Sequence, residues 1–304
     1  MKFGLGVNVN ETTTEVVEKC VEAERLGIDY VWVSDVPVQL YAPAVVAAIA
    51  ENTRKIRIGL GLISAYLHTP RHIAQSLVTL VETYGERFEL CIGPGDRDLL
   101  RRVGVSLKHP EGVQHYFKDV KHQIKTMLKE KGIDCRLWLG AQGPKMLEAA
   151  ANFDGVWLNY AHPDHVKWAL ETVKMHCKRS LQFGVYAPSY VYSDFDSEIG
   201  RLLEINSAVV ALGASDAVLR RLNLYDLVKE GKHRLREGAT MKSVINCVPS
   251  KATELFSISR PSDKLKGYLA QLSATGVQHV VFSYPQNYSL KTVRELALAL
   301  KRQH

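Results

Sequence analysis

The sequence predicts a (β/α)8 TIM barrel, an α/β fold. Short β-branched runs alternate with amphipathic helical stretches along all 304 residues, and composition does not shift anywhere along the chain. Eight strand-like runs can be counted, nearly every one followed by a helix, which favours a barrel over an open doubly wound sheet. A doubly wound fold usually carries a G-x-G-x-x-G turn after its first strand, whereas Gly4 and Gly6 lie inside the first run here. Barrels of this length commonly fold as one unit, so residues 1–304 read as a single domain.

The elements follow in order. Residues 2–9 form a strand, and 12–26 a helix with Val16, Val17, Cys20, Val21 and Ala23 along one side. Gly27 suits the C-cap, where a left-handed residue closes the helix. Strand 28–34, helix 43–52, strand 56–62, helix 72–84 and strand 88–92 continue the alternation. Residues 99–108 read as irregular, and 112–131 as a long polar-faced helix. Strand 136–139, helix 144–152, strand 155–158, helix 164–179 and strand 182–191 come next. Residues 194–266 hold several helices and no strong strand, an enlarged helical crossover between strands 7 and 8. Helix 262–274, strand 279–283 and helix 290–302 complete the chain.

With 46% hydrophobic and 23% charged residues, disordered, collagenous and coiled-coil classes fall away. No apolar run nears the roughly 20 residues needed to span a bilayer. The N-terminus lacks a signal-peptide core, so no membrane association and a cytoplasmic location are expected. The five cysteines, at 20, 91, 135, 177 and 247, contain no C-x-x-C pair and read as core filler. The net charge of +7 fits a phosphorylated ligand or a nucleic acid. Its densest part, 118–131, has no interleaved aromatics and reads as a solvated helix face, so no nucleic-acid partner is expected. Pro70 separates His68 from His72, and Pro163 separates His162 from His165, so no metal site is expected either. A G-x-S-x-G elbow and a Walker P-loop are both absent from the sequence.

Barrels bind ligands at the C-terminal ends of their strands. The polar residues just past those ends are Asn8, Asn10, Ser34, Asp35, Ser64, Tyr66, Asp96, Gln142, Asn159, His162, Ser189, Ser283 and Tyr284. Asp29 and Asp154 start strands on the opposite rim and read as structural. Three motifs stand out. In Ile92-Gly93-Pro94-Gly95-Asp96, the glycines allow backbone to approach a planar ligand and Asp96 can accept from a ring N–H; an ordinary tight turn is the plainer alternative. In Leu139-Gly140-Ala141-Gln142-Gly143-Pro144-Lys145, small residues open main-chain N–H groups at a helix start, with Lys145 adding charge for a phosphate; a plain βα loop reads equally well. Between Gly59 and Tyr66, glycines inside a β-branched run mark a bulge or merely a weakened strand.

Together these segments resemble the bacterial-luciferase-like superfamily of TIM-barrel oxidoreductases. Within it they are most similar to the coenzyme F420-dependent methylenetetrahydromethanopterin reductases. The resemblance rests on MKFGLGV, YVWVSD, IRIGLGLISAYLHTP, CIGPGD, LGAQGPKMLEAAANFDGVWLN and ATGVQHVVFSYP, and so covers most of the chain. It implies a deazaflavin or flavin ring at the barrel mouth, with a cis peptide bond after strand 3, by position Gly61–Leu62, backing the ring. It places the cofactor's phosphate on Gly140, Ala141, Gln142, Gly143 and Lys145. Further cofactor contacts fall on Gly93, Gly95, Asp96 and Asn159, and Asp35 also falls at a cofactor contact. Asp35, Asp96 and Tyr66 are the candidates for handling a proton. Two positions depart from the family pattern: Val36 follows Asp35 where many members have histidine, and Gly6 stands where the reductases carry a carboxylate.

The implied function is hydride transfer between F420 and a small electrophilic substrate, the family's being methylenetetrahydromethanopterin. The alternatives are an FMN-dependent monooxygenase and a non-catalytic barrel that has lost its proton donor. A homodimer or homotetramer is expected by analogy. The reading requires that the rim carrying Asp96 and the turn around Gln142 converge on one cavity.

Overall fold

The computed structural model describes residues 1–7, 11–37, 39–107 and 112–302, with the side chain of Asp98 left aside. Eight parallel strands close a ring: β1 (Lys2–Val7), β2 (Tyr30–Val33), β3 (Arg57–Ser64), β4 (Phe88–Gly93), β5 (Leu137–Gly140), β6 (Gly155–Leu158), β7 (Gln182–Tyr192) and the last strand, β9 (His279–Ser283). β9 pairs with both β7 and β1, which shuts the barrel. Helices cover the outside between successive strands.

The predicted order holds, and the differences are local. A ninth strand, β8 (Ile258–Pro261), lies within the stretch read as several helices with no strong strand. It pairs with Ser189–Tyr192, the part of β7 that runs on beyond the ring. Four residues ending in proline carry too little periodicity to announce a strand. Residues 99–108 were expected to be irregular, yet a short helix spans Arg97–Arg102, its start held by the Asp96 carboxylate accepting from Leu99 N at 3.0 Å. Asn8 and Asn10 lie outside the described residues.

Local chemistry explains the element ends. Thr12 and Glu15 form a capping box at the helix Thr13–Leu26, and Gly27 closes it at φ 83°. The two aspartates read as structural tie strand starts together. Asp29 accepts from Phe3 N and Lys2 Nζ, both at 2.8 Å, and Asp154 accepts from Leu137 N at 2.9 Å and pairs with Lys125 at 2.8 Å. The helix Val113–Glu130 buries Phe117, Val120, Ile124 and Leu128 and leaves Lys118 and Lys129 exposed, a solvated basic face.

The barrel interior is packed in layers. At the N-terminal end, fully buried Glu89 accepts from Trp138 Nε1 at 2.7 Å, Arg136 at 2.9 Å and Arg57 at 3.3 Å. Above it sit Trp32, Trp138 and Trp157, with ring centroids 4.7–6.4 Å apart. Glycines on neighbouring strands make room for them: a Cβ at Gly59 would come 2.1 Å from Trp32, at Gly155 2.4 Å from Trp138, and at Gly184 2.1 Å from Trp157. Cys20, Cys91 and Cys135 are buried and Cys177 and Cys247 half-buried, all as free thiols.

Candidate active site

Over the tryptophan layer, the C-terminal strand ends form the mouth. β3 slips in register against β4 between Leu60 and Ile63, so the expected bulge falls on Gly61 and Leu62. The Gly61–Leu62 peptide is cis, the bond the resemblance singled out. Leu62, half-exposed, then lies across two strand ends at once. A Cβ at Gly93 would meet its Cδ1 at 2.4 Å and one at Gly140 at 2.2 Å. This corrects the reading of Gly93 as a glycine left bare for a ligand: its open space, like that of Gly140, is taken by Leu62. The ends of β4 and β5 thus share Leu62, which fills the space beside both glycines. Anything planar bound there would rest on Leu62, not on glycine backbone.

Gly95 has φ 74°, a turn conformation that favours glycine. Its loop is tied to the β3 end by Ser64 Oγ donating to Pro94 O at 3.0 Å and Ala65 N donating to Gly93 O at 3.2 Å. Asp96 is exposed and caps the helix Arg97–Arg102, which accounts for one of its oxygens. Tyr66 stacks on Tyr116 with centroids 5.1 Å apart, and burial pushes its phenol up to about 12. It is a protonated phenol at neutral pH.

Past the end of β6, Tyr160 Oη donates to Gln142 O at 3.2 Å and holds the 140–143 turn that follows β5. The following helix, Pro144–Ala150, has seven residues, and Lys145 stands exposed at its start. Ser215, from the crossover, sits 2.6 Å from where a Gly143 Cβ would be. Two polar atoms at this rim are buried without a partner: Gln142 Nε2 after β5 and Asn159 Oδ1 after the adjacent β6. Buried polar atoms in native proteins are nearly always paired, so this donor and acceptor on neighbouring strand ends are left open to a partner from outside the chain.

Asp35 has a partner that sequence reasoning missed. Its Oδ2 lies 2.9 Å from His68 Nε2, with both side chains largely buried, and Asp35 N donates to Leu62 O at 3.3 Å. Val36 replaces the histidine expected after Asp35, and the β3 loop supplies an imidazole to the same carboxylate from 33 residues away. Tyr186 was also missed. It points into the barrel from the middle of β7, its Oη 3.0 Å from Ser34 Oγ. Rules based on strand ends overlook it because β7 continues six residues past it. The signal was there in the period-two series Gln182, Gly184, Tyr186, which puts it on the inward face with Gly184.

Among the described residues no group of three or more His, Cys, Asp or Glu is placed to hold a metal, and no helix is long and apolar enough to cross a membrane. Two clefts of about 360 and 440 Å³ lie between helices on the outside. The first is lined by Arg54 and Arg87, whose guanidinium groups are bonded to backbone carbonyls; the second is lined by Thr14, Val17 and Leu290. Neither adjoins the mouth.

Comparison with known proteins agrees with this architecture. Residues 2–135 match the family model described as luciferase-like monooxygenase. The 5,10-methylenetetrahydromethanopterin reductase of Archaeoglobus fulgidus is 26% identical over 311 residues, covering 94% of each chain. An F420-dependent glucose-6-phosphate dehydrogenase of Kribbella flavida is 34% identical over 101 residues, 30% of each chain. The coenzyme F420-dependent tetrahydromethanopterin reductase of Methanopyrus kandleri has the same fold, with a TM-score of 0.83 at 21% identity over 100% of this chain and 99% of that one. The chain is thus a TIM barrel whose residues 2–135 match the luciferase-like model, and it is similar along nearly its whole length, at 25–26% identity, to 5,10-methylenetetrahydromethanopterin reductases.

Proposed function

We propose that this protein is a coenzyme F420-dependent oxidoreductase that passes hydride between the deazaflavin and a small electrophilic substrate. Methylenetetrahydromethanopterin, the substrate named in its full-length relatives, is the leading candidate. The observation that carries this reading is the orphaned pair at the mouth, Gln142 Nε2 and Asn159 Oδ1. One donor and one acceptor on neighbouring strands complement the C=O and N–H edge of a deazaflavin's pyrimidine ring. Leu62 below them offers an apolar face for the tricycle.

When bound, the deazaflavin supplies the hydride chemistry. The chain supplies the rest. Gln142 and Asn159 orient the ring edge, and Leu62 over the tryptophan layer excludes water from its inner face. Lys145, exposed beside the 140–143 turn, offers charge to a phosphate-bearing tail. Asp35 holds the His68 imidazole by its Nε2, the arrangement in which a carboxylate orients a histidine for proton transfer. Tyr66, held protonated, can donate a hydrogen bond but accepts a proton poorly.

The test is parallel fluorescence titration with F420 and FMN. Saturable F420 binding that is tighter than FMN binding is the expected result. Preferential FMN binding, with rapid oxidation of the reduced complex by oxygen, would favour the monooxygenase reading that the family description raises. Failure to bind either cofactor would overturn the proposal.

A further inference from the structure

The hydroxyls of Tyr186 and Ser34 meet at the floor of the mouth, 3.0 Å apart, joining β7 to the end of β2 across 152 residues. The space they occupy exists because residue 6 is glycine: a Cβ there would stand 2.5 Å from Tyr186 Oη and 2.8 Å from Ser283 Cβ. Both side chains are only partly buried. Tyr186 packs edge-on to Trp157 at 6.2 Å and lies in the same apolar cluster as Leu62. The pair therefore sits beside the surface on which a ring would rest.

Hydrogen-bond accounting leaves the pair one proton to spare. Two hydroxyls carry two O–H protons, and their mutual bond uses one. Neither oxygen makes a second hydrogen bond to a described residue, so the other proton is available to a bound molecule. Burial raises the Tyr186 phenol to about 12, which keeps it neutral and protonated over the working range of pH. As a donor, a neutral O–H offers its proton to a lone pair and brings no charge to match a carboxylate. It suits a neutral heteroatom with a lone pair.

We infer that Tyr186, positioned by Ser34, is the proton donor to the substrate, and that the substrate carries a neutral lone-pair heteroatom on the carbon that receives hydride. A carbonyl oxygen and an aminal nitrogen both meet this description. The inference rests on the oxidoreductase reading above. A reduced deazaflavin bound on Leu62 would supply the hydride, two electrons and a proton, to that carbon. The C=O π pair, or the C–N bonding pair of an aminal, moves onto the heteroatom, which takes the Tyr186 proton. The phenolate recovers a proton from solvent through Ser34 Oγ. Gly6 is the permissive element, since any larger residue would evict the phenol.

The experiment compares wild type, Tyr186→Phe and Ser34→Ala, each first checked for native circular dichroism and melting temperature. Carbon-13-labelled acetone is added to protein with and without F420, and its carbonyl stretch is followed by infrared difference spectroscopy. A shift to lower frequency in the wild type that is lost in Tyr186→Phe is expected, because only a hydroxyl donor weakens the C=O bond. In parallel, turnover of acetone and of methylenetetrahydromethanopterin by reduced F420 is measured. Whichever substrate is used, kcat should fall about 10²–10⁴-fold in Tyr186→Phe with little change in KM or in F420 affinity. Ser34→Ala should lower kcat less. An unshifted carbonyl band in the wild type, or a Tyr186→Phe variant with wild-type band and wild-type kcat, would overturn the assignment. Loss of F420 binding in the wild type would instead overturn the cofactor reading, and the infrared comparison without F420 would still decide the role of Tyr186.

Discussion

At the scale of single residues, the mouth is defined by pairing that is complete in some places and deliberately incomplete in others. Asp35 is matched to His68, Tyr160 to the Gln142 carbonyl, and Ser64 to the Pro94 carbonyl. Gln142 Nε2 and Asn159 Oδ1 are buried without partners. Replacing Gln142 with leucine removes a buried, unsatisfied group, so the free protein should lose no stability. F420 affinity should nevertheless fall about tenfold, the worth of one hydrogen bond of about 1–1.5 kcal/mol. Thermal melting and fluorescence titration of the same variant separate the two effects. If affinity is unchanged, Gln142 does not touch the ring.

At the scale of elements, each strand is built to match the next. Glycines at 59, 155 and 184 face the tryptophans at 32, 138 and 157, so the interior layer depends on pairs of residues from different strands. Gly184→Ala would put a methyl 2.1 Å from the Trp157 ring, with the stacked Trp138 behind it. Overpacking of this severity should cost about 3 kcal/mol, the upper end of the usual range, as measured by denaturant unfolding. Because Trp157 also borders Tyr186, turnover should fall in the same variant. The bulge on β3 plays the complementary part: it turns Leu62 over the ends of β4 and β5 and converts two glycine termini into one apolar seat.

At the scale of the whole molecule, two histidines are folded into the barrel in neutral form. Burial, with the Arg221 charge second, lowers His165 to about 4, and burial lowers His279 to about 4, with Arg136 contributing. In the unfolded chain each titrates near 6.5. Between pH 6.5 and about 4 the unfolded state therefore binds more protons than the folded state. Stability is fully present above pH 6.5 and is lost as pH falls through that window, by up to about 3 kcal/mol per histidine. Melting temperatures taken from pH 7 to pH 4.5 should decline. In His279→Gln, which keeps a hydrogen bond to Gln182, the decline should be shallower; an equal slope would mean His279 is not protonation-linked to folding.

The sequence by itself determined the barrel, its strand order and the structural aspartates at the closed rim. All of these depend on local periodicity or on neighbours a few residues apart, which a linear chain displays openly. Ring closure decided what the chain could not show. It brought His68 to Asp35, laid Leu62 on Gly93 and Gly140, and joined Tyr186 to Ser34. Such contacts depend on strand register and on how far each strand extends past the ring. β7, eleven residues long, reaches the level of the mouth at its fifth residue, so Tyr186 lies in mid-strand and not at a strand end.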